Sequence, residues 1–459
     1  MYRSRVVSLL SKLSRMGSMA PSGPAPSEEN RPSAHLDALR AKMQAILART
    51  ALREPPPPRA VDTTELPFLT HETPAGPLHE RTMRLSAAHR TGHAPLLPAR
   101  DACRELLALL ALDPVLAGCD PSRALYLDTE TTGLHGGAGT VAFLVGLAYW
   151  DAAPGASGGL IVEQLLVRAL GEEAPMLERV AARIRDASML ITFNGKSFDM
   201  PLLRTRFVMA KMEPPIEPPH LDLMHVARRV HKRRGEGPRR GWSCRLTALE
   251  RDVLGFERID DVPSGEVSAC YLHFLRTGEA SALLGVVEHN AWDVVAMAAL
   301  VGLYGEPLGT SRLATDDLVG LARTLKRAGD LTRAEGAANE AVSRCEGRVM
   351  FQAPPGRGQH LGEDNELAMD SLRVRAEIAK ARGDRERALL DFEAIAAGAD
   401  CARARLELAK LYEHYVREPA RALALVERGT GEGDDLTSKR AARLARKVER
   451  AQQTKLVKR

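Results

Sequence analysis

At 459 residues the chain exceeds one ordinary domain, and two or three are expected. A hydrophobic fraction of 44% with 27% charged residues describes a globular protein, and a net charge of +5 excludes a polycation. The six cysteines, Cys103, Cys119, Cys244, Cys270, Cys345 and Cys401, show no C-x-x-C spacing, which argues against a zinc site or a disulfide framework and for reduced thiols in a cytoplasmic protein. No run approaches the roughly 18–20 consecutive apolar residues that span a bilayer, so no membrane partner is expected.

The opening stretch, MYRSRVVSLLSKLSRMGSMAP, is rich in Arg and Ser and lacks acids, as transit peptides do. The Pro/Ser/Glu-rich residues after it favour a disordered or weakly helical leader. Residues 35–50 place Leu36, Leu39, Met43, Ile46 and Leu47 at helical spacing. The run Pro55-Pro56-Pro57-Pro58 then enforces an extended linker. Residues 1–60 are thus a low-complexity tail with a short helix. Residues 61–120 form an N-terminal extension, with room for a short hairpin before residue 100 and a helix over 101–118.

From residue 121 the texture changes. ALYLDTET (124–131), TVAFLVGLAYW (140–150) and LIVEQLLV (160–167) read as three successive strands. A helix over 174–187, a strand in SMLITFN (188–194), a helix over 200–209 and a short strand in HLDLM (220–224) follow. Helices over 246–254, 266–276 and 281–303 complete a domain spanning 121–305. Three meandering strands and then helix–strand–helix is the order of a ribonuclease-H-like α/β fold, a mixed sheet flanked by helices.

After residue 305 the strands stop, and 306–459 reads as an all-α helical-repeat domain. Segments starting at Leu321, Arg375 and Leu408 look alike, with Gly329-Asp330 before Ala334 matching Gly383-Asp384 before Ala388. The step from Ala388 to Ala422 is 34 residues, the tetratricopeptide period. The step from Ala334 to Ala388 is 54, or 34 plus an insertion of 20 around Pro354-Pro355-Gly356. Such helix pairs stack, and bind protein partners or brace a neighbour.

The chemistry concentrates in three places. Asp128 and Glu130 alternate on one strand face, and two carboxylates there need a counter-charge. A divalent metal is the usual resolution, and oxygen ligands suit Mg²⁺ or Mn²⁺. The following Thr131, Thr132 and Gly133 form a small turn that a substrate backbone can approach closely. In Asn194-Gly195-Lys196-Ser197-Phe198-Asp199, Asp199 is a third carboxylate or a helix cap. On a late helix, His289 and Asp293 lie one turn apart on one face, where His289 positions or deprotonates a water and Asp293 adds a fourth carboxylate. Asp222 is read as supporting this site or binding a helix terminus.

D-x-E on a strand, N-x-x-x-F-D after a strand and H-x-x-x-D on a late helix resemble the DnaQ-like (DEDD) 3′–5′ exonuclease superfamily. More closely, DTETTGL (128–134), FLVG (143–146), NGKSFDMPLLRTR (194–206), HLDLMHVARR (220–229), CRLTALERDVLGFERIDDVPSGEV (244–267) and EHNAWDVVAMAAL (288–300) resemble the YprB-type ribonuclease-H-like domain, over residues 120–305. The resemblance implies a nuclease with two metal ions roughly 3.5–4 Å apart. Asp128 would bridge both ions, Glu130 would hold one and orient the water, and Asp199 and Asp293 would complete the site. One departure stands out. The exonucleases carry Tyr four residues before the last Asp or His five before it, whereas here His289 takes the Tyr spacing and Glu288 the His spacing. One residue on a helix is a turn of ~100°, which leaves the base role of His289 open.

Between 228 and 251 the residues Arg228, Arg229, Lys232, Arg233, Arg234, Arg239, Arg240, Arg245 and Arg251 outnumber Glu236 and Glu250, with glycines at the centre. Such a loop suits phosphate binding beside an acidic site, and Asn194 and Lys196 join it as nucleic-acid contacts. Trp242 is read as structural before it is read as a base-stacking residue. The expected activity is hydrolysis of DNA or RNA phosphodiesters. The alternatives are a non-catalytic nucleic-acid-binding module, in which one carboxylate is displaced, and a scaffold dominated by the helical repeats.

Overall fold

Seven strands form one mixed sheet: β1 (Leu69–Thr73), β2 (Gly76–Leu85), β3 (Ala124–Thr131), β4 (Ala142–Trp150), β5 (Leu160–Leu166), β6 (Met189–Thr192) and β7 (His220–Asp222). Their order is β1-β2-β5-β4-β3-β6-β7. All neighbours from β1 to β3 pair antiparallel, and β3, β6 and β7 run parallel. Each parallel step needs a crossover. Helices α2 (Ala174–Asp186) and α3 (Asp199–Met209) supply them. This is the ribonuclease-H-like α/β arrangement with a helical C-terminal region. The computed structural model describes residues 66–133, 139–151, 158–232, 243–346 and 363–457. The leader, the helix over 35–50, the proline run, Arg233, Arg234, Arg239, Arg240, Trp242 and the insertion around Pro354 lie outside the described residues.

Period-two alternation on β3 builds two cores. Leu125 and Leu127 face α2 and α3, packing with Val145, Leu165, Val180, Ile184 and Phe207. Tyr126 faces the other side, with Ala148, Val162 and Ile191. That side is covered by α7 (Ser281–Tyr304), through Val294, Met297 and Val301. Of the described helices, α7 is the one long and apolar enough to cross a membrane by length and composition, and 72% of its apolar window is buried within the fold. Between α3 and α7 lie α4 (Leu223–Val230), α5 (Leu246–Leu249), one wide turn over Glu250–Leu254, and α6 (Val267–Thr277).

The extension before β3 carries the expected hairpin, here joined to the main sheet, but its expected helix is broken. β1 and β2 make a hairpin that lengthens the sheet beyond β5. The expected single helix stops early: α1 (Arg104–Ala111) ends where Leu112 takes a left-handed φ of 57°, and a separate turn covers Pro114–Gly118. Pro114 cannot continue the helix, and Asp113 caps the new turn by accepting from Val115 N.

Beyond α7 the chain folds into α8 (Thr315–Ala328), α9 (Leu331–Glu346), α10 (Glu363–Arg382), α11 (Arg385–Gly398), α12 (Ala402–Leu411), α13 (Pro419–Glu427) and α14 (Asp434–Val457). Three tight reversals join α8 to α9, α10 to α11 and α12 to α13. Each uses one left-handed residue, Gly329, Gly383 and Arg417 respectively. Ala334, Ala388 and Ala422 are each the fourth residue of their helix and are fully buried. The first pair, with Val374 and Ile378 of α10, shares its apolar core with α7 and α4, whereas the opposite face of α10, through Met369, Ala376 and Ala379, joins residues from Ala388 to Leu444 in a second core.

α8 lies close to the end of α4, and Gly320 makes that possible. A Cβ at position 320 would stand 1.9 Å from the Val230 carbonyl oxygen. Gly320→Ala should therefore lower stability by about 2 kcal/mol, the usual scale of overpacking, read as a fall in Tm. Gly309→Ala, where an added Cβ meets nothing within 4 Å, is the matched control and should leave Tm nearly unchanged.

Candidate active site

Asp128 and Glu130 continue the parity of Tyr126, so both project toward α7 at the C-terminal end of β3. Thr129 has the opposite parity and points toward α3. Its hydroxyl donates to Asp199 Oδ1 at 2.5 Å, and Asp199 is 4% exposed. Asp199 is the first residue of α3, and its carboxylate is turned to the sheet. One strand thus recruits carboxylates from both of its faces.

The α7 side depends on a close approach to the sheet. Gly146 on β4 lies opposite Asp128 in register, and Gln164 on β5 lies opposite Gly146. A Cβ at Gly146 would stand 2.3 Å from Asn290 Oδ1, so only glycine lets α7 rest there. Asn290 Nδ2 donates to Asp128 Oδ2 at 3.0 Å, and Asn290 Oδ1 accepts from Gln164 Nε2 at 3.0 Å. Gln164 Oε1 in turn accepts from Arg81 Nη1 on β2 at 3.1 Å. Arginine only donates, so Gln164 turns its oxygen to Arg81 and its nitrogen to Asn290, and that one end fixes the orientation of both amides.

One turn of α7 carries the rest of the site. His289 Nδ1 is 2.6 Å from Asp261 Oδ1, while His289 Nε2 is 3.9 Å from Glu130 Oε1 and 3.6 Å from Asp293 Oδ2. The Arg258 guanidinium, with 5% of its side chain exposed, lies among these acids. It donates Nε to Glu250 Oε2 at 2.7 Å and Nη2 to Glu250 Oε1 at 2.8 Å, and also bonds Asp293 Oδ1. Its Nη1 is 3.4 Å from Asp261 Oδ2, and its carbon lies 5.5 Å from the centre of the Trp292 ring.

The electrostatics follow from this crowding. Burial pushes the Asp128 carboxyl well above the usual carboxylate range, and the charges of Asp293, Asp199 and Glu130 push it further. The Asn290 hydrogen bond opposes the shift. Glu130 is raised in the same way by burial and then by Asp293 and Asp199, with Arg258 opposing. Asp199 is raised to about 6 by burial, against the pull of the Thr129 hydroxyl. Burial lifts Glu250 to about 7 despite its two bonds from Arg258. Arg258 is itself pulled down by burial, but Asp293 and Glu250 hold it above the usual arginine value.

A cavity of about 190 Å³ opens on this cluster, lined by Asp128, Glu130, His289, Asp293, Phe198 and the turn Ser264-Gly265. Thr131 and Gly133 also line it, with the Thr131 hydroxyl donating to the Gly133 carbonyl at 2.9 Å. The Thr132 hydroxyl accepts from Val141 N within the strand connection. Asn194 and Lys196 are not among its lining residues. Asn194 takes a left-handed φ of 72° in a turn fixed by Asp222, whose carboxylate accepts from Asn194 N, Lys196 N and Met224 N. Asp222 therefore holds the turn before Asp199 and caps α4. Arg228 and Arg245 are exposed, while Arg229 is partly buried and bonds the Ala111 carbonyl. Sequence reasoning assigned no role to Arg81, Gly146, Gln164, Asn290, Arg258 or Asp261. It counted Glu250 with the loop, and Glu250 is 1% exposed beneath Arg258.

Residues 125–304 match the family model described as the RNase_H superfamily. The chain is also 34% identical over 187 residues to a protein of Bacillus subtilis (strain 168) described as uncharacterized protein YprB. That match covers 40% of this chain and 42% of the relative, so the chain spans well under half the length of the protein it resembles. The segment with the four carboxylates thus resembles the ribonuclease-H superfamily in sequence as it does in fold, a class of fold associated with nucleases.

The raised carboxyl of Asp128 gives a linkage prediction. An unfolded Asp loses its proton near about 4, whereas folded Asp128 holds its proton to higher pH. Between those two values the folded state binds more protons, so stability falls as pH rises through the window. Without added metal, Asp128→Asn should raise Tm at pH 7.5 by a few degrees and reduce the loss of Tm between pH 5 and 7.5. Thermal unfolding at both pH values reads both effects.

Proposed function

We propose that the chain is a divalent-metal-dependent nuclease that hydrolyses phosphodiester bonds of DNA or RNA, acting as a 3′–5′ exonuclease with two Mg²⁺ or Mn²⁺ ions. The carrying observation is that Asp128, Glu130 and Asp293 line one cavity at the sheet end, with Asp199 held behind Thr129 close enough for its charge to act on Asp128 and Glu130, and the carboxyls of Asp128, Glu130 and Asp199 raised chiefly by burial. Each buried ion carries a desolvation penalty of several kcal/mol, which a bound divalent cation would offset. The donor set fits a hard cation: carboxylate oxygens on three elements, two of them oriented by Asn290 and Thr129.

Asp128, Glu130, Asp199 and Asp293 would hold the metal. When bound, it supplies Lewis acidity toward a phosphate oxygen and a water ionised at neutral pH. The protein's own groups do the positioning. Thr129 fixes Asp199, Asn290 fixes Asp128, and Arg258 engages one oxygen of Asp293, leaving the other toward His289. Phe198 and the Ser264-Gly265 turn border the cavity where a nucleotide would enter. Exposed Arg228 and Arg245 flank residues 233–242, in keeping with a phosphate track. The same reading takes the helix pairs after α7 as tetratricopeptide-like repeats that bind a protein partner, supported by the 34-residue step between Ala388 and Ala422.

The test is digestion of end-labelled single- and double-stranded DNA and RNA with Mg²⁺ or Mn²⁺. Wild type should release mononucleotides from the 3′ end, and Asp128→Ala should abolish release. Asn290→Leu, which leaves every carboxylate in place but removes the hydrogen bond to Asp128, should lose on the order of 100-fold, the scale of a misplaced reacting group. No metal-dependent cleavage of any substrate, or equal cleavage by Asp128→Ala, overturns the reading.

A further inference from the structure

We propose that His289 is itself a metal ligand of this site, through Nε2, and that it makes the site select Mn²⁺ over Mg²⁺. The inference rests on the metal-dependent reading above and replaces a proton-transfer role for this histidine with a coordinating one.

The argument starts from the ring's two nitrogens. His289 is 6% exposed, so each nitrogen needs a partner within the fold. Nδ1 lies 2.6 Å from Asp261 Oδ1 and 3.2 Å from Arg258 Nη1. The guanidinium can only donate and the carboxylate accepts, so the two contacts ask for opposite forms of Nδ1. The Asp261 contact is the shorter and joins the ring to a charged acceptor, so it sets the tautomer of the neutral ring, the form that binds metal: Nδ1 carries the proton, and Nε2 presents its lone pair. That lone pair faces Glu130 Oε1 at 3.9 Å and Asp293 Oδ2 at 3.6 Å, both beyond hydrogen-bond range.

One lone-pair atom each from Glu130, His289 and Asp293 therefore converge within 4.8 Å of one another. Three acceptors aimed at one point repel unless a cation joins them. A carboxylate behind the far nitrogen of an imidazole is the usual support of a metal-bound histidine, since it fixes the tautomer and the ring plane and raises basicity at the coordinating nitrogen. Asp261 stands in that place.

The helix register supports the same role. His289 is four residues before Asp293, so both share one face of α7 and point to one spot. Glu288, at the spacing where the exonucleases carry their histidine, pairs instead with Arg81 Nη2 on β2 at 2.7 Å. An imidazole nitrogen added to carboxylate oxygens disfavours Mg²⁺, which keeps to oxygen, and favours first-row divalent ions.

The test uses full-length protein stripped of metal. Pulsed electron paramagnetic resonance of bound Mn²⁺ should show coupling to a directly coordinated ¹⁴N, and calorimetry should give Mn²⁺ an affinity at least about tenfold above that of Mg²⁺. In His289→Ala the nitrogen coupling should vanish and Mn²⁺ affinity should fall about tenfold or more, with Mg²⁺ affinity changing less than about threefold. Mn²⁺ bound by wild type without nitrogen coupling overturns this inference and leaves the nuclease reading intact. Failure of wild type to bind either ion overturns both. The wild-type spectrum decides the matter even if His289→Ala does not fold.

Discussion

The contact on which this site depends is the one between Asn290 and the bare backbone of Gly146. α7 carries His289, Asn290 and Asp293 within five residues, and it brings them to Asp128 and Glu130 only because no side chain stands between helix and sheet at that point. The contact also sets polarity. Arg81 donates to Gln164, Gln164 to Asn290, and Asn290 to Asp128, so a buried carboxylate receives the end of a chain whose other end is a cation. Linked hydrogen bonds of one direction polarise each other in a low-dielectric interior. Asp128 is thereby oriented without placing a cation against it.

Charge balance at the other carboxylates is handled differently. Arg258 is brought in from the segment after α5, and its guanidinium spreads across Glu250, Asp261 and Asp293. A planar fork can pair with one carboxylate through two bonds and still reach a second, which a lysine ammonium does less well. The result is asymmetric. Asp293 is engaged on one oxygen, Glu130 feels Arg258 only through space, and Asp128 and Asp199 receive neutral donors. A guanidinium buried among these acids offsets part of their mutual repulsion.

Much of this architecture was legible in the sequence because it is local. Apolar runs ending in acids marked β3, and strand parity put Asp128 and Glu130 on one face. Helical spacing put His289 and Asp293 together. What was not legible was everything that depends on register between distant segments. Gly146 reads as one glycine in an apolar strand until its partners across the sheet are known. Arg258 is one of many arginines, and nothing nearby says that it turns inward while Arg251 stays exposed beside Asp252. Glu250 looked like a stray acid in a basic stretch because the wide turn over Glu250–Leu254, which rotates it inward, has no simple signature. The break at Leu112 was hidden by an apolar pattern that continues past it, although Asp113-Pro114 was the available sign. In the third helix pair Arg417 occupies the left-handed position held by glycine in the other two, so a search for Gly-Asp alone passes over it.

The segment that matches the superfamily does not hold its site alone. Arg81, the donor that orients the amide chain to Asp128, lies on β2, upstream of residue 125 where the match begins. On the far side, His231 at the end of α4 bonds Asp317 of α8 through Nδ1 and Tyr304 of α7 through Nε2, each at 2.8 Å, with all three residues almost wholly buried. Apolar packing would allow α8 several positions against α4. A buried imidazole with partners on both nitrogens allows one, because any slip leaves a polar group without its bond. Gly320 against the Val230 carbonyl fixes the same register sterically. The helices after α7 therefore pin the end of α4 where the chain enters residues 233–242, and the hairpin before β3 pins the amide chain beneath Asp128. The precision of the site is a property of the fold from β1 through α8, wider than the domain that carries its carboxylates.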